Sequence, residues 1–439
     1  MKRIVILSAI FFFGIHFLFS DSAENLQSDV LSLSIEDAVE LAKKNNVSVA
    51  RAQITLDAAA RAKNHSWNSI SPTASVGATS SLPIDALSDS ESNYTANMAL
   101  SATLSISLSA NLYTSMQSAK INYESGKLTF DDAVKSVELS VREAFYGLLY
   151  EKENIVLQEK NLEIAKTQYT SNLARYNQGR LSEIDVLSAE VNYKSKIPTV
   201  ESARTTFLND LDSFKQTLGL STDEKIELEG SLDDLINLNE ISLDSQNVQS
   251  SSIKLLEYKL AAAKNTVLEK RFSAFAPSLN ASLNWRDQYW YMGYEGTAPD
   301  PTKTTSLTLS ATIPLDGLLP WSVRNDAIDT AKDTAADLEL QLENEKKNLK
   351  RTLDSSLRSI KQSQESIKYK QANVTLAQKT YDMTQEAYNR GAKDLLTLQN
   401  ANTSLLNAQV SLKSETLTLI KAILNLENTI GVPFGTLGK

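Results

Sequence analysis

The chain contains itself twice, and this constrains its fold more than any local motif. Apolar residues recur at strict seven-residue steps in two series: Val141, Leu148, Ile155, Leu162, Tyr169, Tyr176 and Leu353, Ile360, Ile367, Val374, Tyr381, Tyr388. Each member of the second lies 212 positions after its counterpart. Both series close on Tyr-Asn-x-Gly, at Tyr176–Gly179 and at Tyr388–Gly391. A seven-residue period keeps one seam on a partner only when helices wind left-handed around each other. The glycine supplies the left-handed conformation that ends a helix, and helical pattern resumes over Leu181–Leu218 and Asp394–Glu427. Each half therefore predicts a long coiled hairpin with its tight turn at the glycine.

The first long helix reads from Gly126 to Gly179 and the second from Trp321 to Gly391. Between Trp321 and Arg390 there is neither Gly nor Pro, a stretch that would extend about 105 Å at 1.5 Å per residue. An ordinary helical bundle is the competing reading. Against it, no second full apolar row accompanies the seam, and much of the remaining surface is Lys, Gln, Asn, Ser and Thr. Pro198 interrupts the returning helix of the first half and predicts a kink, whereas Val410 stands at the same offset in the second.

Only 14 Gly and 9 Pro in 439 residues agree with long uninterrupted elements. Residues 1–22 read as a secretory signal: Lys2 and Arg3 precede an apolar run from Ile4 to Phe19, and Ser20, Asp21, Ser22 and Ala23 follow. A retained membrane anchor is the alternative, and the run is short against the ~20 residues a span needs. Without residues 1–22, which hold Lys2, Arg3 and Asp21, 42 basic residues remain against 52 acidic ones, a net charge of −10, and His65 becomes the single histidine. With no Cys, that excludes histidine triads, cysteine nucleophiles, disulfides, Fe–S clusters and structural zinc, and no cofactor is expected. The acidic balance argues against nucleic acid. Carboxylate pairs such as Asp131-Asp132, Asp233-Asp234 and Glu151/Glu153 suit acid/base hydrolysis on paper, but on helix surfaces they read as solvated charge. No G-x-S-x-G, Walker or metal-ligand spacing appears.

Between the helical parts lie four segments of period two. Leu100, Ala102, Leu104, Ile106, Leu108 and Ala110 alternate with serine and threonine, as do Leu307, Leu309, Ala311 and Ile313. Ala74, Val76 and Ala78 follow Pro72, and Leu279, Ala281, Leu283 and Trp285 follow Pro277. Polar loops are expected over roughly 83–97 and 287–305. A soluble sandwich alternates in this way, and so does a membrane barrel with lipid outside. The near-absence of charge on the polar rows favours the barrel. So does an interfacial aromatic belt of Trp67, Trp285, Trp290 and Trp321 at the strand ends. Four strands cannot close, since the smallest membrane barrels have about eight. Open edges cannot exist in lipid, so spanning strands require several chains to share one barrel.

The order of helix, two strands, long helix, Tyr-x-x-Gly turn and returning helix, all repeated, resembles the TolC-like outer membrane efflux proteins. The entry helix, Leu33 through Asn46, is similar to that family's N-terminal motif. Ala274–Leu279 and Ile313–Gly317 are similar to its corners between helix and strand, and Arg175–Leu187 and Tyr388–Ala401 to its two turns. The resemblance implies a mainly helical chain with membrane β: helical hairpins forming a periplasmic α-barrel, and four strands per chain in a twelve-stranded barrel of a homotrimer. The divisions it implies are a signal over 1–22, a first repeat over 23–218, an equatorial segment over 219–250, a second repeat over 251–430 and a tail over 431–439.

It further implies an outer-membrane duct for small molecules or proteins, with a periplasmic adaptor, an inner-membrane transporter and outer-membrane lipid as partners. By the same resemblance a gating lock falls on Asp185, Tyr388 and Lys393, the last replacing an arginine. The aperture falls on Thr397 and Asn400, giving a neutral ring where the family can carry aspartates. Tyr176, Gly179 and Gly391 would mark the hairpin turns that meet the adaptor. Simpler roles compete: Tyr388 ends the apolar seam, and Asp185 suits a helix N-terminus. The rival functions are a coiled-coil adaptor or adhesin without a pore, and an exported hydrolase.

Overall fold

The computed structural model describes residues 31–81, 95–232, 250–292 and 300–437. The expected leader, Asp233-Asp234 and most of the two strand-connecting loops lie outside the described residues.

Two hairpins of equal dimensions dominate. In the first, α3 (Asn111–Asn177) is followed by α4 (Glu183–Leu218). In the second, α6 (Val323–Asn389) is followed by α7 (Leu395–Ile430), every boundary falling 212 residues later. Each long helix has 67 residues, about 100 Å of length. Gly179 and Gly391 have φ of +71° and +78°, where a side chain would strain the backbone. Around them Arg180 N–H donates to the Arg175 carbonyl and Ala392 N–H to that of Ala387, the bond that closes a helix on a left-handed residue. Gly219 and Gly431 end the returning helices in the same way. Beyond each tip a side chain caps the next helix: Ser182 accepts from Asp185 N–H and Asp394 from Thr397 N–H.

Three boundaries differ from the sequence reading. The first long helix begins at Asn111, not near Gly126, so Ala110 precedes it instead of ending a strand. A glycine inside a helix costs only about 1 kcal/mol, which packing overrides. Leu33 is not helical: Leu31–Leu33 form β1, and Ser34 then caps α1 (Ile35–Asn45) in a reciprocal box with Asp37. The chain re-nucleates at Asn46, whose side chain caps α2 (Val47–Asn64). Pro198 lies inside α4, which continues to Leu218.

Part-way along the hairpins β1 pairs in parallel with β4 (Ile226–Leu228). Val141, Phe145, Leu148, Phe214, Leu218 and Leu33 pack here into the largest buried cluster. The second seam buries Leu353, Ile360 and Ile367 against Leu412, Leu419 and Ile423 of α7.

At the other end of the hairpins α2 and α5 (Ser251–Phe275) lead into an antiparallel sheet of order β2-β3-β5-β6. Its strands are Thr73–Ser81, Thr95–Ser109, Ser278–Met292 and Thr302–Thr312. The outer part of the segment expected as a loop after residue 287 is strand, and Ile313 falls just past β6. The corner at Ile313–Gly317 folds onto the end of α5. A Cβ on Gly317 would sit 2.5 Å from the Ala274 carbonyl oxygen, so glycine alone fits. Arg324 binds Asp316 at 2.7 Å and also donates to the Ser273 carbonyl, and Asn325 Nδ2 donates to the Gly317 carbonyl. The two corner motifs are thus one joint.

Candidate functional site

The pairing register sorts the sheet into two chemically distinct faces. Leu104 lies between Ala74 and Leu283, Leu108 beside Leu279, and Leu283 beside Leu307. Side chains alternate across a strand, so Ala74, Val76 and Ala78 share a face with Leu100–Leu108, Leu279–Trp285 and Leu307–Ala311. On this chain the face is open: Val76 is 80% exposed, Leu307 68% and Leu309 73%. The opposite face carries serine, threonine and asparagine, bonded across strands by Thr73 to Ser105 at 2.8 Å and Thr103 to Asn284 at 2.9 Å. A water-soluble sheet would bury its apolar face, whereas this one presents it outward. β2 and β6 each have one unpaired edge within the chain.

Three of the four belt residues fall at the ends of the sheet. Trp67 (53% exposed) lies in the turn before β2, and Trp321 (81% exposed) just before α6, both at the helical end. Trp290, paired with Asn97, lies toward the far end, whereas Trp285, on the apolar face, stands at the middle of β5 and not at a strand end as expected. Beyond Trp285 the apolar face holds Asp287, 5% exposed, which accepts from Tyr289 Oη at 3.1 Å and pairs with Lys303 at 3.3 Å.

At the hairpin tips Tyr388 is buried, and its hydroxyl donates to Asn172 Oδ1 at 2.8 Å. Gln168 Nε2 donates to the same oxygen at 3.0 Å, and the Arg175 guanidinium lies 5.6 Å from the Tyr388 ring centroid. Asn172 is completely buried and its Nδ2 has no partner. Higher up, Asn402 Nδ2 donates to Asn161 Oδ1 at 2.6 Å between two buried side chains. These two contacts tie the second hairpin to α3. Nothing in the periodicity signalled them, because Asn161 and Asn172 read as part of a wet helix face.

The anticipated lock is only partly assembled within one chain. Asp185 is occupied at the start of α4, where Ser182 Oγ donates to its carboxylate at 2.6 Å. Lys393 is exposed in the turn, and no hydrogen bond or ion pair joins Asp185 to Tyr388 or Lys393 among the described residues. Thr397 occupies the position 212 residues after Asp185 and serves the equivalent cap, its N–H donating to Asp394 at 2.8 Å. The Thr397 hydroxyl first, and then that backbone bond, hold the Asp394 carboxyl below its usual range. Asn400 is exposed one turn on. Tyr176, at the other tip, is 40% exposed, and Gly179 and Gly391 are open to solvent.

Among the described residues no helix is long and apolar enough to cross a membrane. The fold and its faces thus define a class: a protein that exposes an apolar β-sheet face and carries that sheet on long helical hairpins. The chain matches the outer membrane efflux protein family over residues 38–220 and 243–432, and it belongs to that family. It is an outer-membrane protein with a large periplasmic helical part. Among solved structures it is similar to the Campylobacter jejuni CmeC outer membrane channel, at 20% identity over 90% of this chain and 85% of that one (TM-score 0.73). It is also similar to CusC, at 14% identity over 91% and 92% of the two chains (TM-score 0.75). The Neisseria gonorrhoeae MtrE channel in its open state matches at 18% identity over 91% and 89% (TM-score 0.62). No curated protein matches in sequence.

Proposed function

We propose that three copies of this chain form one exit duct of an efflux or type I secretion system. In this reading the twelve strands close a barrel in the outer membrane, and the hairpins enclose a periplasmic tunnel. The carrying observation is the sheet itself, with a contiguous exposed apolar face, an uncharged polar face over most of its height, and two open edges. In hydrocarbon an unpaired edge has no water to satisfy it, and four strands fall short of the ~8 needed for closure. Oligomerisation follows from hydrogen bonding, and the number three from the family. The sequence divisions at 22, 218, 250 and 430 then separate a leader, two repeats flanking an equatorial belt, and a tail packed on that belt.

The duct receives small molecules or proteins from an inner-membrane transporter through a periplasmic adaptor that meets the hairpin turns at Tyr176, Gly179 and Gly391. Gating resides at the same tips. Tyr388 holds the second hairpin on Asn172 within each chain, while Asp185 and Lys393 are left for contacts between chains. Lysine offers a point charge without arginine's planar fork, and Thr397 and Asn400 give a neutral aperture. Reconstitution in planar bilayers tests this: wild type forms pores from an SDS-resistant, heat-modifiable oligomer, and Asp185→Ala or Tyr388→Phe raises single-channel conductance. Unchanged conductance in both variants would remove the lock, and a detergent-free soluble monomer would remove the duct.

A further inference from the structure

The polar face of the sheet carries one charge among its described residues. Its rows are Thr73, Ser75, Gly77, Thr79 and Ser81 on β2, the alternating positions Asn97 to Ser109 on β3, and Thr302 to Thr312 on β6, all uncharged. On β5 the same face runs Ser278, Asn280, Ser282, Asn284 and then Arg286, which sits between Ser101 and Thr304. Arg286 is exposed and makes no ion pair among the described residues. Its sequence neighbour Asp287 points to the other face and is already compensated there by Lys303 and Tyr289.

Height fixes where this charge lies. β5 leaves the helical end at Ser278, and eight steps at about 3.3 Å carry it roughly 26 Å along the strand. At the ~40° tilt of membrane strands that is a rise of about 20 Å, most of the height of an apolar band ~25 Å tall. Trp285 and Tyr289 bracket the position on the lipid side, as interfacial aromatics do. Arg286 therefore stands on the pore side in the outer part of the barrel, six strand residues short of the end of β5.

We propose that Arg286 forms a ring of three guanidinium groups in the outer part of the shared barrel, a site for small anions on a lumen face otherwise uncharged among the described residues. This rests on the trimeric duct reading. A guanidinium carries a delocalised positive charge with five donors, so the ring attracts chloride, carboxylates and phosphates and opposes cations. It also acts on cargo at the exit, remote from the neutral tip aperture. The field reaches about 10 Å at 0.1 M salt and only 3 Å at 1 M, so its influence is strongest in dilute media.

The test is the reversal potential of full-length pores in planar bilayers under a tenfold KCl gradient, for wild type, Arg286→Lys, Arg286→Ser and Arg286→Glu. The ratio of chloride to potassium permeability is expected to fall by about a factor of two in Arg286→Ser and further in Arg286→Glu. Arg286→Lys should keep the wild-type value, and the differences should shrink at molar salt. Identical reversal potentials in conducting wild-type, Ser and Glu pores would overturn the ring while leaving the duct standing. Failure of wild type to conduct at all would overturn the duct, and the ring with it.

Discussion

Tyr388 and Tyr176 end the same seven-residue series in the two halves, yet they live in different surroundings. Tyr388 is 6% exposed, hydroxyl on Asn172 and ring beneath Arg175, whereas Tyr176 is 40% exposed. The difference extends up the helices. Leu353, Ile360, Ile367 and Tyr381 are all buried, while Ile155, Leu162 and Tyr169 are only partly covered. In the lower part of α3 the buried face passes instead to Asn161, Ala165 and Asn172. A duplicated sequence has thus given one hairpin clasped by its own chain and one whose tip faces outward.

The largest test of this asymmetry is truncation of the two tyrosines. Tyr388→Ala empties a buried site and removes one of the two donors to Asn172 Oδ1, a loss of about 3–5 kcal/mol. Tyr176→Ala should cost less than about 1 kcal/mol as a surface change. Thermal unfolding of the detergent-solubilised protein by circular dichroism compares them, and equal losses would break the distinction.

Next come Lys215 and Glu427, which hold equivalent positions with opposite charge. Glu427 is fully buried and accepts Gly435 N–H at 2.9 Å and Leu437 N–H at 2.8 Å, fixing the tail. Lys215 donates to the Thr222 carbonyl at 2.8 Å and to Asp212 at 3.1 Å, fixing the segment that leads to β4. Glu427→Ala leaves two backbone donors without a partner and should cost about 2–4 kcal/mol, with residues 431–437 becoming protease-sensitive. Lys215→Ala, which frees one carbonyl near water, should cost about 1–2 kcal/mol. A reversed order would show that the tail is not anchored through this carboxylate.

A smaller effect is expected from Asn172→Ala, about 1 kcal/mol of stability together with raised single-channel conductance. Stability loss without a conductance change would make the contact a packing feature and not part of the gate.

The smallest concerns pH. Glu151 on α3 and Asp210 on α4 face each other near Lys421 of α7 and Glu143 of α3. Burial first, then the hydrogen bond and charge of Asp210, push Glu151 up to about 7 from 4.5. The native state therefore holds that proton more tightly than the unfolded chain. The resulting stability is full below pH 4.5 and is lost as pH rises through 7. The group is partly solvated, so the effect is modest. Glu151→Gln should raise the melting temperature by a few degrees at pH 8 and not at pH 4. A gain at both pH values would refute the shared-proton explanation.

Features that repeat over many residues were legible in the sequence: both hairpins, their glycine turns, and the alternation of the four strands. What escaped was short or non-local. β1 and β4 have three residues each and pair across 195 positions of sequence, too short for any period to register. The break at Asn46 is invisible because asparagine caps and continues a helix with equal ease on paper. Asn161–Asn402 and Tyr388–Asn172 join buried polar groups across more than 200 residues. As residue types they are indistinguishable from a solvated face. The lock inferred by resemblance named Tyr388 but not Asn172, because the motif carries the tyrosine and only the packing supplies its acceptor. Arg286 was equally hidden until register assigned it a face.

The most direct measurement of the shared barrel is native mass spectrometry of the full-length protein released from lipid nanodiscs. Particles containing three chains are expected. A single chain stably inserted in the bilayer would contradict the premise that its open strand edges require partners.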